Sequence, residues 1–178
     1  MQIRNHILSS AQFVESPNAD ARPVKKLDLI VIHNISLPAG HFMNSFVPSL
    51  FMNRLGVSEH PDFIGVDKLH VSSHLFIRRD GSVIQFVPFD RRAWHAGESE
   101  FGGRTHCNDF SIGIELEGTD TVAFRRGQYA CLAAICNLLL REYGIPRENI
   151  VGHADIAPGR KTDPGEAFEW DYFRKSLR

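Results

Sequence analysis

The chain has 178 residues, of which 43% are hydrophobic, and its 20 basic residues nearly balance its 21 acidic ones. This size and apolar content suffice for one sizeable core, so we predict a single domain over residues 1–178. A formal net charge of −1 excludes bulk electrostatic attraction to nucleic acid or to a membrane surface, and any polar partner must be recognised locally.

The first ten residues contain no apolar run typical of a secretion signal, and no later stretch approaches the roughly 20 apolar residues of a membrane span. This favours a cytoplasmic location. The three cysteines, Cys107, Cys131 and Cys136, are odd in number and form no closely spaced pair. We therefore expect buried thiols, not a disulfide framework or a thiolate zinc site.

The first half of the chain predicts an arm, a central strand and a long loop. Residues 1–26 are polar and interrupted by prolines, which indicates an irregular N-terminal arm with room for one short strand, before a core over residues 27–178. Leu27–His33 is nearly all apolar, as expected of a strand covered on both faces. Residues 36–68 predict a long loop that holds a short helix and borders a site.

The second half alternates strands with helices. Asp80-Gly81 between His74–Ile77 and Ser82–Val87 predicts a hairpin with a primed turn. Ser111–Gly118 alternates, which predicts a strand with one packed face and one face free for chemistry. A long helix is predicted from Arg125 to Tyr143, then a short strand over residues 149–152 and a C-terminal helix over residues 168–177. Together these elements predict the α/β class.

Two distant segments carry candidate metal ligands. The Pro- and Gly-rich stretch from Val151 to Gly165 contains His153, Lys161 and Asp163, and His33 lies at the carboxyl end of the central strand. Two histidines and one carboxylate match a catalytic zinc site, which keeps three protein ligands and an open fourth position. An isolated histidine is more often a surface or hydrogen-bonded residue, and Asp155 competes with Asp163 for the carboxylate position.

Five sequence blocks, in order between residues 22 and 173, resemble those of the N-acetylmuramoyl-L-alanine amidases. They are Val31–Ser36, His70–Gly81, Val87–Gly97, Cys107–Gly118 and Gly152–Gly165. The resemblance implies a mixed central sheet flanked by helices, the fold of phage amidase lysozymes and peptidoglycan recognition proteins. It also implies a Zn²⁺ hydrolase that cuts the amide between the lactyl group of anhydro-N-acetylmuramic acid and L-alanine, in small muropeptides recycled from the cell wall.

The resemblance assigns roles to ten residues. The metal ligands would be His33, His153 and Asp163, with Glu115 handling the nucleophilic water and Lys161 beside the scissile carbonyl. The substrate contacts would be Asn34, Phe63, His70, His95 and His106, and we expect His95 to line the site without binding metal. From pattern alone, Glu115 also suits a solvated strand face, Lys161 a loop charge and Asn34 a turn.

Two other functions remain open on the sequence. Related recognition proteins keep the groove but lose zinc ligands and act as non-catalytic muropeptide receptors. Phage enzymes of this kind act on intact peptidoglycan and also lack a signal segment. The complete candidate metal set disfavours the receptor, and the oligomeric state is not predicted.

Overall fold

The computed structural model describes residues 1–177. The helices are α1 (Phe46–Phe51), α2 (Arg126–Tyr143), α3 (His153–Ile156) and α4 (Trp170–Ser176), and 3-10 turns lie at Pro61–Phe63, Val66–Lys68, Cys107–Asp109 and Arg147–Asn149. The strands are β1 (Ile3–Arg4), β2 (Ile7–Leu8), β3 (Gln12–Phe13), β4 (Ala19–Ala21), β5 (Leu29–Ile35), β6 (Leu75–Ile77), β7 (Val83–Gln85), β8 (Arg91–Ala93), β9 (Glu100–Phe101), β10 (Arg104–Thr105), β11 (Ser111–Glu117) and β12 (Ile150–Gly152).

A six-stranded mixed sheet in the order β12-β5-β11-β6-β7-β3 forms the centre of the molecule. Strands β12, β5, β11 and β6 are mutually parallel, whereas β6 and β7 pair antiparallel. The predicted α/β class and the mixed sheet flanked by helices are therefore confirmed. Because β12, β5 and β11 run in one direction, their carboxyl ends meet at one edge, which is where open α/β sheets place ligands.

Helix α2 covers one face of this sheet. Its apolar residues pack with alternate residues of the central strands, such as Ile32 and Ile114, in the largest buried cluster. Gln128 ties the helix to the sheet by donating to the carbonyl of Glu117 at 3.0 Å. The predicted helix end is also found, because Gly144 adopts a left-handed φ of 65° directly after Tyr143.

The second face of β11 is not solvated, although alternating polar residues commonly lie on a solvated face. All seven residues of the strand are buried, including Glu115 and Glu117. β11 lies between β5 and β6. On the face that carries the glutamates, Glu117 accepts the N–H groups of Met43 and Arg79, while the His95 ring lies against Gly113. Alternation of polar and apolar residues was therefore a sign of a buried polar site here and not of a solvated face.

Two further differences concern short elements. Residues 1–26 hold four short strands instead of at most one, and β3 joins the main sheet beside β7. The predicted hairpin forms, but its turn is not a primed one: only Gly81 has positive φ, and Arg78 and Ser82 close a longer loop. The helix predicted within the 36–68 loop is α1. No helix among residues 1–177 has the length and apolar character needed to span a membrane.

Candidate metal centre

Three neighbouring strands deliver side chains to one point at the sheet edge. His33 on β5 pairs directly with Glu115 on β11, so both side chains lie on the same face. Gly152 at the end of β12 pairs with Ile32, which places the next residue, His153, beside His33. The parallel register of the sheet therefore explains why residues 120 positions apart in the chain meet.

The two histidines and Asp163 form a close group. Asp163 Oδ2 lies 2.9 Å from His33 Nδ1 and 3.1 Å from His153 Nδ1, and the two Nδ1 atoms are 3.0 Å apart. The main-chain carbonyl of Asp163 accepts a hydrogen bond from the N–H of Ala154 at 3.0 Å, which holds the loop against α3. The candidate ligand atoms of His33, His153 and Asp163 all lie within 4.8 Å of one another, close enough to share one metal ion.

The outer nitrogens of both rings have partners of their own. His153 Nε2 lies 3.0 Å from the carbonyl oxygen of Ala96, which can only accept, so a neutral His153 carries its proton on Nε2 and a lone pair on Nδ1. His33 Nε2 lies 3.0 Å from His95 Nδ1, and when His33 donates there, its Nδ1 also carries a lone pair. Metal-binding histidines are oriented by such outer hydrogen bonds.

The electrostatics of the group favour a bound cation. Burial, opposed by the interaction with the Asp163 carboxylate, lowers the pKa of His33 to about 4. Burial alone would raise the pKa of Asp163, but its contacts with His153 and His33 outweigh this and lower it. When both imidazoles carry their proton on Nε2, two nitrogens and one carboxylate oxygen present lone pairs to one another. A divalent cation with a preference for nitrogen and oxygen ligands fits this arrangement.

Glu115 stands beside this group as an unpaired buried acid. Within residues 1–177 its Oε2 is buried without a hydrogen-bond partner. Burial first, and then repulsion from Asp163, raises the pKa of its carboxyl well above the ordinary range, while Lys161 opposes the shift. A carboxyl with a raised pKa next to a candidate metal site has the properties of a general acid or base.

A cavity of about 260 Å³ opens onto the group. One side is polar and includes Lys161 and Asn34, and the other is apolar and includes Leu69 and Val71. Lys161 is exposed, and its charge acts on both Glu115 and His33. Asp155 does not join the group, because its carboxylate accepts the N–H of Gly152 at 2.7 Å. The preference for Asp163 over Asp155 agrees with this geometry.

The other residues assigned by resemblance lie in different surroundings. His95 lines the cavity, as expected, and touches His33. His70 is exposed between Leu69 and Val71, which line the cavity. Phe63 is fully buried, with its ring 4.9 Å from that of Phe46, so the structure gives it a packing role. His106 is exposed with a φ of 59° and is not among the residues lining the cavity. Substrate contact by these four residues stays a prediction.

Several contacts around the metal group could not be predicted from the sequence. His95 Nε2 lies 3.1 Å from Ser111 Oγ, and a Cβ at Gly113 would fall 2.4 Å from the His95 ring, so Gly113 leaves space for it. Asp120 links Asn34 to Thr162. The position of Asp120 just after β11 could have indicated this contact, because β11 and the strand that carries Asn34 end at the same edge of the sheet.

Residues 23–166 match the family described as N-acetylmuramoyl-L-alanine amidase. The chain is 52% identical over 168 residues to the 1,6-anhydro-N-acetylmuramyl-L-alanine amidase AmpD of Escherichia coli, covering 94% of this chain and 92% of that protein. The AmpD of Haemophilus influenzae is 42% identical over 178 residues, covering 99% of this chain and 97% of its own length.

Solved structures agree. A crystal structure of an AmpD derivative superposes with a TM-score of 0.97 at 49% identity and covers 100% of both chains. The E. coli amidase AmiD, in complex with anhydro-N-acetylmuramic acid-L-Ala-D-γ-Glu-L-Lys, gives a TM-score of 0.64 at 30% identity, covering 88% of this chain and 60% of that one. The chain therefore belongs to the N-acetylmuramoyl-L-alanine amidase family, and its similarity to the AmpD relatives extends over nearly its whole length.

Proposed function

We propose that the protein is a zinc-dependent amidase that hydrolyses the bond between the lactyl group of (1,6-anhydro)-N-acetylmuramic acid and L-alanine in muropeptides. The observation that carries the proposal is the group of His33, His153 and Asp163, whose ligand atoms lie within 4.8 Å of one another beside the Glu115 carboxylate oxygen that has no hydrogen-bond partner within residues 1–177. The printed activity of the AmpD relatives supports the bond and the substrate.

In this proposal His33, His153 and Asp163 hold Zn²⁺. When bound, zinc supplies Lewis acidity, which lowers the pKa of a water molecule and polarises an amide carbonyl. Three protein ligands leave the fourth position open, as catalytic zinc requires. His95 and the carbonyl of Ala96 keep the two imidazoles in the orientation that presents Nδ1.

Glu115 is the proposed general base and acid. The carboxyl has no competing hydrogen bond on Oε2, so it is free to take a proton from the attacking water. Amide hydrolysis then needs that proton on the leaving nitrogen, and the raised pKa of Glu115 suits a group that both accepts and returns a proton.

Lys161 supplies the proposed positive charge for the developing oxyanion. It lines the same cavity as Glu115 and Asp163 and is two residues from Asp163 in the chain. A fixed cation at the place where negative charge develops lowers the barrier of acyl transfer. Asn34, His70 and His95 line or border the cavity and are the proposed substrate contacts there. Phe63 and His106 belong to the same proposal, although Phe63 packs in the core and His106 lies at the surface.

We place the reaction in the cytosol, in the recycling of soluble wall fragments. The structure of AmiD with an anhydromuramyl peptide supports a small muropeptide as the ligand of this fold. The test is mass analysis of the products from a defined anhydro-muropeptide, with intact sacculi in a parallel reaction and Glu115→Gln as the control. Release of the free peptide from the soluble substrate is expected. Cleavage of sacculi alone would reject the recycling role, and binding without cleavage by the zinc-loaded protein would favour a receptor.

A further inference from the structure

Asp120 connects three separate segments next to the metal centre. Its Oδ1 accepts a hydrogen bond from Asn34 Nδ2 at 2.7 Å, and Asn34 follows His33 on β5. Its Oδ2 accepts from the hydroxyl of Thr162, which lies between Lys161 and Asp163. These residues belong to the loop over residues 157–165, called the metal loop. The main-chain carbonyl of Asp120 accepts the N–H of Ala167 at 2.8 Å. One carboxylate thus joins the end of a strand to the loop that carries two active-site residues.

The contact with Asn34 determines which way its amide points. A carboxylate is an acceptor, so the group of Asn34 that faces Asp120 must be the NH₂. The amide oxygen Oδ1 then lies on the opposite side of the planar group. Asn34 lines the cavity, and Oδ1 has no hydrogen-bond partner within the described part of the chain.

The packing around Asp120 leaves this arrangement little freedom. A Cβ on Gly165 would come within 2.1 Å of Asp120 Cα, so the metal loop lies directly against the Asp120 backbone. Both carboxylate oxygens are engaged by different segments, which prevents the side chain from rotating away without losing a hydrogen bond. Asp120 is therefore held well enough to orient its partner.

We infer that Asp120 is a positioning residue that holds Asn34 with Oδ1 directed into the cavity, where it accepts a hydrogen bond from an N–H group of the substrate. The inference rests on the proposed function for the identity of that substrate, in which the donor is an amide N–H. Asn34 lines the same cavity as His33, Glu115 and Asp163, so this N–H lies close to the cleaved bond. An acceptor placed in this way discriminates against analogues that lack the N–H, since bound substrate would cover the half-buried Asn34 and leave its amide oxygen without a donor.

A double-mutant cycle tests the coupling. Asn34→Ala and Asp120→Ala are each expected to raise KM by about tenfold, the effect of one hydrogen bond to a substrate group. The double variant is expected to be no worse than the weaker-binding single variant, because both act through the same bond. If the increases in KM of the two single variants multiply in the double variant, or if the single variants have the wild-type KM, the inference is overturned.

An exchange of the two residues provides the rescue. Asn34→Asp alone places two carboxylates at hydrogen-bond distance and should raise KM more than any other single substitution. Adding Asp120→Asn restores the hydrogen bond with its direction reversed and keeps an oxygen at position 34 facing the cavity. The KM of the double variant should therefore return most of the way to the wild-type value. A swapped protein no better than Asn34→Asp contradicts the inference. Thr162→Val removes only the contact between Asp120 and the loop. If it raises KM as much as Asp120→Ala does, the effect belongs to the loop and not to Asn34.

An NMR measurement separates this inference from the proposed function. The side-chain NH₂ of Asn34 should exchange slowly with solvent in the wild-type protein and rapidly in Asp120→Ala. Fast exchange in the wild-type protein would overturn the orientation of the amide whatever the activity. A wild-type protein that fails to cleave the muropeptide, but keeps a protected Asn34 amide, would reject the proposed function and leave the Asp120 contact standing.

Discussion

The two sides of the cavity are built in different ways. The metal side rises from the ends of adjacent strands, and its histidines and Glu115 are buried, with His33 only 1% exposed. The opposite side comes from the stretch between α1 and β6, which has two 3-10 turns and exposes apolar side chains such as Leu69 at 49%. Hydrogen bonds of about 3 Å fix the first side, whereas apolar packing forms the second.

The difference assigns separate tasks to the two sides. Chemistry that depends on placement to within a fraction of an ångström belongs to rigid elements. Recognition by apolar contact tolerates more movement, because dispersion and burial depend weakly on direction. We therefore expect substitutions on the metal side to abolish metal binding or turnover, and substitutions on the apolar side to change KM modestly.

Removing a proposed ligand should have the largest effect. His33→Ala leaves two ligands for the metal and is expected to lose both zinc and amidase activity. His41→Ala, at an exposed histidine, is the matched control and should retain both. Metal analysis and activity on an anhydro-muropeptide are the measurements, and an active His33→Ala protein would remove His33 from the ligand set.

Glu115→Gln should separate metal binding from turnover. We expect zinc to remain bound, because Glu115 is not among the proposed ligands, and kcat to fall by about 10²- to 10⁴-fold. As a base, Glu115 must be deprotonated, so activity of the wild-type protein should decrease as pH falls through its raised pKa. That acidic limb should be absent from the residual activity of the variant. A zinc-free variant, or one with the wild-type pH profile and rate, contradicts the assignment.

Changing His95 should weaken the metal without removing a ligand. In His95→Phe the His33 Nε2 loses its partner, and zinc affinity should fall by about 10- to 100-fold. His95→Gln carries an amide oxygen that can accept from His33 and should recover part of the loss. Competition with a zinc chelator measures both affinities. Equal affinity in wild type and His95→Phe would show that this contact does not tune the site.

The apolar side should respond least. Leu69→Ala shortens a half-exposed side chain that lines the cavity, and we expect KM to rise by less than about tenfold, the effect of a few methylene contacts. Zinc content and kcat should stay unchanged. Ile64→Ala, at a side chain that is 76% exposed and outside the cavity lining, is the control. A kcat loss comparable to that of Glu115→Gln would remove the distinction between the two sides.

Sequence periodicity predicted the elements that extend over several turns or residues. Helix α2 and strands β5 and β11 were found within two residues of their predicted bounds. The strands of the N-terminal arm escaped prediction because two or three residues give no period. The buried state of Glu115 escaped for another reason, since alternation tells which residues share a face but not what covers that face.

The same limit applies to the site. His33, His153 and Asp163 were recognised from residue type and family resemblance, and the structure brings them together. The bonds from His95 to Ser111 and from Asp120 to Thr162 join residues 16 and 42 positions apart, and only the folded chain places them in contact. Phe63 was assigned a substrate contact from family resemblance, whereas in the folded chain its buried ring packs against Phe46.

Zinc stoichiometry in matched aspartate variants tests the central claim most directly. Purified wild-type protein, Asp155→Ala and Asp163→Ala should be dialysed against the same zinc buffer and their metal measured by mass spectrometry. We predict one zinc per chain in the wild type and essentially none in Asp163→Ala. Asp155→Ala should also bind one zinc, because the carboxylate that it removes accepts the N–H of Gly152 and does not face the metal group. Full zinc occupancy in Asp163→Ala, or a metal-free wild-type protein after zinc addition, would contradict the account.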